Sequence, residues 1–292
     1  MHLREMTIGI IGNGVLGGAM IRGLTEFAKE IRVYDVVPEK GTHNVEDTLA
    51  SDLAFICLPT PARQDGSCDT TAVEGLIMYV CDEYRSRRER TPHLVLRSTV
   101  SLGFTDRMAR KMVETGLPPR LVHNPEFLTA RCAAVDFQTP SRHIIGQPLD
   151  GGPLSPPHPI VQETCDRLRC LLLERFSGIP VHIMTSGESE LVKLTCNSFF
   201  ALKVMFFNGI KQLCDARELS YNAVLQGVLS DGRIAHSHTQ VPGPDGQPGF
   251  GGTCLPKDLE NLGLSMLASN VPIGELLRLT NQLNQQIRPT AR

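Results

Sequence analysis

Short apolar runs alternate with amphipathic stretches over the first 185 residues. The runs that predict buried strands are residues 7–11, 31–34, 53–58 and 94–97, with shorter ones near residues 121, 143 and 181. Helical spacing follows the glycines after residue 11 to about residue 27, and recurs at residues 71–81 and 103–115. Strands separated by helices favour an α/β fold with a doubly wound, parallel sheet of the Rossmann type.

The pattern changes after residue 185. Residues 187–218 contain no strong helix breaker except Gly209 and predict one long helix of about 45 Å. This helix is apolar almost all round, so it must be buried between layers or against a second subunit. We therefore expect a first domain over residues 1–185, an all-α central domain built on the long helix over residues 186–292, and a homodimer. A further helix is predicted at residues 273–287.

A glycine-rich turn joins the first predicted strand to the first predicted helix. Glycines at this spacing allow a tight turn, let the backbone approach a pyrophosphate and let helix and strand pack closely. The next strand ends at Asp35, whose carboxylate suits both ribose hydroxyls and would repel a 2′-phosphate. The unit predicts dinucleotide binding, with NAD favoured over NADP. The turn consists of Gly12, Asn13, Gly14, Val15, Leu16 and Gly17.

Polar residues follow three of the other predicted strands. Pro59 and Thr60 follow the third strand, Thr99 follows the fourth, and Asn124 and Glu126 follow the fifth. In a doubly wound sheet the ligand lies beyond the carboxyl ends of the strands. We expect these residues to lie at the ligand site.

Residues 249–258 place Cys254 after a glycine-rich loop and before a predicted helix. Pro256 and Asp258 suit the first turn of that helix, and Lys257 is close in sequence. A helix N-terminus and a nearby lysine favour the thiolate, the nucleophilic form of cysteine. The alternative is a buried structural cysteine, the usual fate of a free thiol. The flanking glycines, lysine and aspartate favour the nucleophile.

Two polar residues interrupt the long apolar helix. Lys193 and Asn197 are four residues apart and share one helical face, next to Leu194 and Phe199. Each alone is more often a surface residue. As a polar pair among apolar neighbours they are candidates for lining a site.

Composition and charge argue against several classes of function. The formal net charge is -2, and the one short basic run, residues 85–90, suits a solvated helix end, so nucleic acid is not an expected partner. Nine cysteines without a C-x-x-C pair, together with scattered histidines, predict a reducing, cytoplasmic setting and no bound metal. We expect neither a signal peptide nor a membrane-spanning segment. Residues 148–159 predict a surface loop rich in proline and glycine.

The chain resembles the UDP-glucose and GDP-mannose 6-dehydrogenases, a family of nucleotide-sugar dehydrogenases. The matching elements follow the family's order and span nearly the whole chain. They are the 12–17 turn with Asp35, Pro59-Thr60-Pro61, Ser98-Thr99-Val100, the N-P-E-F-L stretch 124–128, Lys193 with Asn197, the D-G-R-I stretch 231–234, and the G-F-G-G-x-C-x-x-K-D stretch 249–258. The last of these is highly specific.

The resemblance implies two NAD-dependent oxidations that convert a primary alcohol of a sugar to a carboxylate. Cys254 would add to the intermediate aldehyde, and the resulting thiohemiacetal would become a thioester that water hydrolyses. Lys193 would stabilise the oxyanion. Asn197 would orient the same oxygen or a water, and Asp258 with Lys193 would handle water and protons. Glu126 would be the general base for hydrolysis.

The resemblance also implies contacts with the cofactor and the sugar. These implied contacts are Thr99 with a water or the cofactor, Lys257 with the cofactor phosphates, Arg233 with the substrate or its loop, and Phe127, Leu128, Phe250 and Gly251 with the sugar.

Two departures from the family pattern leave the substrate open. A second glutamate usually follows four residues after the first, and this sequence has Ala130 there. Family members also continue into a second Rossmann-like domain that binds the nucleotide, whereas this sequence ends at Arg292. The substrate could be a smaller sugar phosphate or nucleoside, another chain could supply the domain, or the sequence could be a fragment.

Three functions therefore remain open. The first is oxidation of an alcohol to an acid, the second is oxidation that stops at the aldehyde, and the third is a non-enzymatic NAD-binding protein. Retention of Cys254, Lys193 and Asp258 argues for the first, and Ala130 argues for the third. The number of NADH molecules formed per substrate molecule distinguishes the three functions. It is two for the first, one for the second and none for the third.

Overall fold

The computed structural model describes residues 2–87, 91–149 and 157–288. The chain divides into two compact units. Unit one comprises Met1–Thr60 and Asp69–Lys193, and unit two comprises Pro61–Cys68 and Leu194–Arg292. The division falls inside the long helix and assigns the short segment 61–68 to unit two. The expected domains, 1–185 and 186–292, stay a prediction about folding units.

Unit one is built on a seven-stranded sheet. Each strand overlaps an apolar run that the sequence predicts, and the order across the sheet is β2-β1-β3-β4-β5-β6-β7. The strands are β1 Thr7–Ile11, β2 Glu30–Tyr34, β3 Leu53–Ile56, β4 Leu94–Leu96, β5 Leu121–His123, β6 His143–Gln147 and β7 Val181–Thr185. The α/β fold class is confirmed.

One neighbouring pair in this sheet is antiparallel, which corrects the expectation of a wholly parallel sheet. Strand β5 pairs with β6 in the antiparallel sense, and β6 pairs with β7 in parallel, so β6 and β7 run against the other five strands. The connection from β5 to β6 carries a 3-10 turn (Ala130–Cys132) and the short helix α5 (Ala133–Gln138), which packs on α1 (Val15–Leu24). It is not a helical crossover of the kind that joins parallel neighbours.

Helices cover both faces of the sheet. They comprise α1 and α5 together with α2 Val45–Leu49, α3 Thr71–Arg87, α4 Phe104–Glu114 and α6 Pro159–Arg175. On one face, α1, α5 and α6 pack on apolar side chains that include Ile8, Phe55 and Val95. On the other face, α2, α3 and α4 pack on side chains that include Ile56 and Leu96. The doubly wound arrangement is confirmed.

Unit two is helical, as the sequence predicts. Helix α7 (Ser186–Ala216) begins in unit one and continues through unit two, where α8 (Tyr221–Leu229), α9 (Cys254–Ala268) and α10 (Gly274–Ile287) follow. Leu194 and Ala201 of α7 pack with Leu259 of α9 and Leu277 of α10 in one apolar core. The bounds of α7 and α10 lie within two residues of the predicted helices.

Some expectations concern residues outside the described ranges. The basic run 85–90 and the loop 148–159 both extend into them, at residues 88–90 and 150–156. Across the described residues, no helix combines the length and the apolar character needed to cross a membrane. Over the same ranges, no cluster of three histidine, cysteine or acidic side chains is placed to hold a metal ion.

Candidate active site

The turn between β1 and α1 has the geometry that a pyrophosphate site requires. Gly12 adopts φ +98°, a left-handed conformation that favours glycine. A Cβ on Gly17 would lie 2.0 Å from the carbonyl oxygen of Gly12, so this glycine permits the close packing of helix and turn. A Cβ on Gly14 would meet no atom within 4 Å, and Gly14 caps α1 without a side-chain hydrogen bond. The helix N-terminus is therefore open to a phosphate, which its N–H groups and dipole favour.

Asp35 lies directly after β2, beside this turn. Its carboxylate accepts hydrogen bonds from the backbone N–H of Asn13 at 2.7 Å and of Val37 at 2.9 Å. Burial alone would raise the pKa of Asp35, but these two hydrogen bonds and the charge of Lys40 outweigh it and lower the pKa. The carboxylate is thus ionised beside the turn, as recognition of a ribose diol requires.

The carboxyl ends of β3 and β4 are joined by hydrogen bonds. The hydroxyl of Thr60 donates to the carbonyl oxygen of Thr99 at 2.7 Å, and the hydroxyl of Ser98 donates to that of Leu58 at 2.7 Å. These bonds hold the segment after Pro59 and the segment that carries Thr99 together at one edge of the sheet. The sheet therefore brings together the residues that the sequence placed at these strand ends.

Glu126 and Lys193 form a buried ion pair in unit one. Lys193 Nζ lies 2.7 Å from Glu126 Oε1, and their side chains are 4% and 15% exposed. The other carboxylate oxygen, Oε2, accepts from the backbone N–H of Leu128 at 2.6 Å. Burial would raise the pKa of Glu126, but Lys193, the Leu128 N–H and the charge of Arg97 together lower it.

The ring of Phe127 lies near two cations, next to the Glu126–Lys193 ion pair. The guanidinium carbon of Arg142 is 4.2 Å from the ring centroid, and Lys193 Nζ is 5.7 Å from it. Leu128 packs at the edge of the apolar core. Phe127, for which the sequence predicts contact with a sugar, therefore lies near two cations.

Cys254 is the first residue of α9, and its side chain is exposed. Within the same unit, the carboxylate of Asp258 is 1% exposed and lies between two donors. Asn197 Nδ2 donates to Oδ2 at 2.5 Å, and Lys257 Nζ donates to Oδ1 at 2.6 Å. Burial would lower the pKa of Lys257, but the charge of Asp258 and its hydrogen bond outweigh it and raise the pKa. One helical turn therefore presents an accessible thiol near a buried carboxylate that an ammonium and an amide hold in place.

The glycine-rich loop before Cys254 is fastened to α10. Asn284 accepts from the backbone N–H of Phe250 and donates to its carbonyl oxygen, each at 2.9 Å. A Cβ on Gly249 would lie 2.3 Å from the amide oxygen of Asn284, and a Cβ on Gly251 would lie 2.2 Å from Nη2 of Arg288. The side chain of Phe250 is buried in the unit-two core rather than turned outward. Its expected contact with a sugar would therefore have to come from its backbone.

Arg233 lies on the surface of unit two. Its guanidinium is 89% exposed and pairs with Asp231 two residues away, at 2.6 Å. The structure thus leaves this side chain accessible, and its expected contact with substrate stays a prediction.

Comparison with known proteins identifies the family. The NAD-binding-domain model of the UDP-glucose/GDP-mannose dehydrogenase family matches residues 39–150, and the central-domain model of the same family matches residues 187–286. The chain belongs to the UDP-glucose/GDP-mannose dehydrogenase family. The resemblance drawn from the sequence motifs is confirmed, and NAD is the cofactor.

Individual members of the UDP-glucose/GDP-mannose dehydrogenase family show how far the similarity reaches. UDP-glucose 6-dehydrogenase of Rhizobium meliloti (strain 1021) is 34% identical over 223 residues, which are 72% of this chain and 44% of that protein. GDP-mannose 6-dehydrogenase of Pseudomonas aeruginosa is 30% identical over 222 residues, 73% of this chain and 46% of that protein. The chain therefore spans less than half the length of these two relatives.

A solved structure shares the fold. UDP-glucose dehydrogenase from the hyperthermophilic archaeon Pyrobaculum islandicum matches with a TM-score of 0.79 at 24% identity, covering 96% of this chain and 69% of that one. The similarity supports the mostly parallel sheet followed by a helical region that the family's first two domains require.

Three residues at the candidate site were not predicted from the sequence. Arg97 stands at the carboxyl end of β4 and is buried, so the rule that selected Thr99 could have found it. Arg142 contacts Phe127, and Asn284 contacts Phe250. The residues of each pair lie in different segments, and no local sequence pattern predicts the contacts.

Proposed function

We propose that this protein oxidises a primary alcohol of a sugar to a carboxylate in two NAD-dependent steps, through a covalent intermediate on Cys254. When bound, NAD accepts a hydride in each step. The observation that carries the proposal is the exposed thiol at the start of α9, one turn before a buried carboxylate held by Lys257 and Asn197. A plain alcohol dehydrogenase needs no such thiol.

The aldehyde made in the first step has no leaving group, so it must become tetrahedral before it can lose a second hydride. The Cys254 thiolate adds to the aldehyde carbon and forms a thiohemiacetal. Loss of hydride gives a thioester, and water then releases the carboxylic acid and restores the thiol. The exposure of Cys254 supports this role because the nucleophile must be reached by substrate.

Roles for the buried ion pair follow from its charges. We assign to the Lys193 ammonium the stabilisation of the oxygen that becomes negative in the tetrahedral intermediates, where a fixed cation contributes most. Glu126 accepts the proton of the hydrolytic water. Its lowered pKa keeps it in the basic form, and the Leu128 N–H holds its second oxygen. Asn197 orients the reacting oxygen or a water, and Asp258 moves protons.

The remaining assignments concern binding. The 12–17 turn holds the pyrophosphate and Asp35 the adenosine ribose, in line with the open helix N-terminus and the ionised carboxylate. Further cofactor contacts are assigned to Pro59, Thr60, Thr99 and Lys257. Contacts with the substrate are assigned to Phe127, Leu128, Arg233, Phe250 and Gly251.

The names of the relatives point to a nucleotide sugar as substrate, since they are a UDP-glucose and a GDP-mannose 6-dehydrogenase. A sugar phosphate or nucleoside is the alternative. Ala130 is exposed in a short turn after Leu128 and supplies no second carboxylate. The missing carboxylate would slow thioester hydrolysis, and it favours the third candidate, a catalytically weak NAD-binding protein. The second candidate is an enzyme that stops at the aldehyde.

The experiment that tests the proposal measures NADH at 340 nm and products by mass spectrometry. The substrates are UDP-glucose, GDP-mannose, the matching sugar phosphates and the nucleosides. Two NADH per carboxylate formed supports the proposal. One NADH with an accumulated aldehyde supports the second candidate, and no NADH with any substrate contradicts both.

We further propose that the protein forms a homodimer through α7. Phe199, Phe206 and Leu213 are 59%, 63% and 55% exposed and recur every seven residues, so they share one helical face. A face of this kind is unfavourable in water and is typical of an interaction surface.

A further inference from the structure

Arg97 is a buried cation at the carboxyl end of β4. It is 6% exposed, and its Nη1 donates to the side-chain oxygen of Asn124. Its Nε has no hydrogen-bond partner among the described residues, and none of the ion pairs found within those ranges includes it. Burying a guanidinium without a contacting carboxylate is costly, so a role for this charge is to be expected.

The hydrogen bond to Asn124 connects Arg97 to the loop that carries Glu126. Asn124 is fully buried and donates from Nδ2 to the carbonyl oxygen of Ile144 at 2.6 Å. Its amide is therefore held from both sides, by β4 through Arg97 and by β6 through Ile144. Glu126 follows two residues later, so Arg97 fixes the start of its loop.

Arg97 also acts on Glu126 through its charge. Two cations lower the pKa of Glu126 against the effect of burial, Lys193 by direct contact and Arg97 through space. The other titratable groups near Arg97 are neutral near pH 7. Burial and the charge of Arg97 lower the pKa values of His123 and His143 to about 3 and 4, and burial raises that of Cys57 to about 12. Arg142 contacts the ring of Phe127.

The charges of Arg97, Lys193 and Glu126 sum to +1. One negative oxygen on a substrate would make the group neutral. If Lys193 left Glu126 for that oxygen and Arg97 were neutral, a buried carboxylate would remain without a cation and would take up a proton. A protonated Glu126 cannot accept the proton of the hydrolytic water.

We propose that Arg97 is a positioning residue that keeps Glu126 ionised while the Lys193 ammonium turns to the substrate oxygen. The inference rests on the proposed roles of Lys193 and Glu126. It adds that a second buried cation, linked to the Glu126 loop through Asn124, allows both roles to be performed in one cycle.

The first test follows the Glu126 carboxyl directly, without substrate. Protein labelled with ¹³C at the glutamate carboxyl carbons is titrated by NMR, and Glu126→Gln assigns the resonance. Arg97→Met raises the Glu126 pKa by about one unit or more, Arg97→Lys returns it to within about half a unit of the wild-type value, and the exposed control Arg110→Met leaves it unchanged. An unchanged titration in Arg97→Met overturns the proposal.

A second variant tests the inference without altering Arg97. In Lys193→Met the Glu126 carboxyl loses its contacting cation but keeps the electrostatic effect of Arg97. It should still ionise below about pH 7. A Glu126 that stays protonated above about pH 8 in this variant overturns the proposal.

Turnover separates this inference from the proposed function. Arg97→Met should slow thioester hydrolysis about tenfold at pH 7, with the rate recovering at higher pH and KM unchanged, whereas Arg97→Lys retains the wild-type profile. A uniform loss of rate at every pH would show a merely structural role and contradict the proposal. If the wild-type protein oxidised no substrate, the proposed function would fail, while the NMR titration would still decide the role of Arg97.

Discussion

Lys193 Nζ donates to Glu126 Oε1 at 2.7 Å, across 67 residues of sequence. The pair joins α7 to the loop after β5 and stores a cation and a base next to each other before any substrate is bound. The Lys193 ammonium lowers the pKa of Glu126 and so holds it in its charged form, and in the proposed reaction the two groups act on different oxygens. The ion pair therefore holds both groups of the proposed reaction in place before the reaction begins.

Replacing Lys193 removes the cation for the oxyanion and leaves Glu126 with weaker charge compensation. We expect Lys193→Met to lower kcat by about 100- to 1000-fold, the usual cost of removing a donor to a developing oxyanion. The Kd for NAD should stay within about twofold, because Lys193 is not among the proposed cofactor contacts. Single-turnover kinetics and a fluorescence titration with NADH measure the two effects. A parallel loss of cofactor affinity would contradict the assignment.

The glycines of the first turn allow a matched comparison. Gly14→Ala adds a methyl group to open space, so the free energy of unfolding should change by less than about 0.5 kcal/mol while NAD affinity falls at least about tenfold. Gly17→Ala places the methyl group against the carbonyl oxygen of Gly12 and should destabilise the fold by about 1–3 kcal/mol. Urea unfolding and calorimetric titration with NAD measure the pair. Equal NAD affinity for Gly14→Ala and wild type would contradict the assignment of the pyrophosphate to this turn.

The buried carboxyl group of Glu190 should make the free energy of unfolding depend on pH. Its carboxylate is 1% exposed and accepts from the backbone N–H of Gly103 at 2.6 Å and of Thr105 at 2.8 Å, at the start of α4. Burial raises its pKa to about 7, despite these hydrogen bonds. Because the folded pKa lies above the unfolded one, the contribution of Glu190 is fully present below about pH 4.5 and is lost as the pH rises through about 7.

This loss is about 3 kcal/mol and is absent from Glu190→Gln, because a glutamine side chain does not titrate. Urea unfolding at pH 4.5 and pH 8 should therefore show the wild type losing about 3 kcal/mol relative to the variant. The exposed control Glu39→Gln should follow the wild type. Stability curves for wild type and Glu190→Gln that stay parallel over this range would refute the prediction.

The apolar face of α7 predicts the state of assembly. Light scattering at micromolar concentration should give twice the chain mass for the wild type, and Phe206→Glu should convert it to a monomer, because a carboxylate cannot be buried unpaired in an apolar interface. Val113→Glu, an exposed apolar position on α4, is the control and should remain dimeric. A monomeric wild type refutes the proposed dimer.

The periodicity of the sequence predicts which segments are strands and helices, because continuous apolar runs and 3.6-residue spacing reflect burial directly. It does not predict strand direction, so the reversal of β6 and β7 was missed. The motifs predict the chemistry of Cys254, Glu126 and Lys193 but not their partners. The pairing of Lys193 with Glu126 and the contact of Asn197 with Asp258 depend on packing between segments more than 60 residues apart.

Arg97 shows a second limit of the sequence. Its place at the end of an apolar run marks a strand end but also suits a surface residue, and its burial and its bond to Asn124 establish that it lies inside the fold. Phe250 shows the converse, since the family motif suggests a sugar contact while the fold places its side chain in the apolar core of unit two.

The covalent route through Cys254 is tested most directly by trapping the intermediate. The protein is mixed with NAD and each candidate nucleotide sugar, quenched in acid within one turnover, and mapped by mass spectrometry. We predict a thioester on Cys254 and none on the exposed thiols of Cys132 and Cys170, with Cys254→Ala forming no acid while keeping its NAD affinity. Formation of acid by Cys254→Ala at the wild-type yield would contradict it.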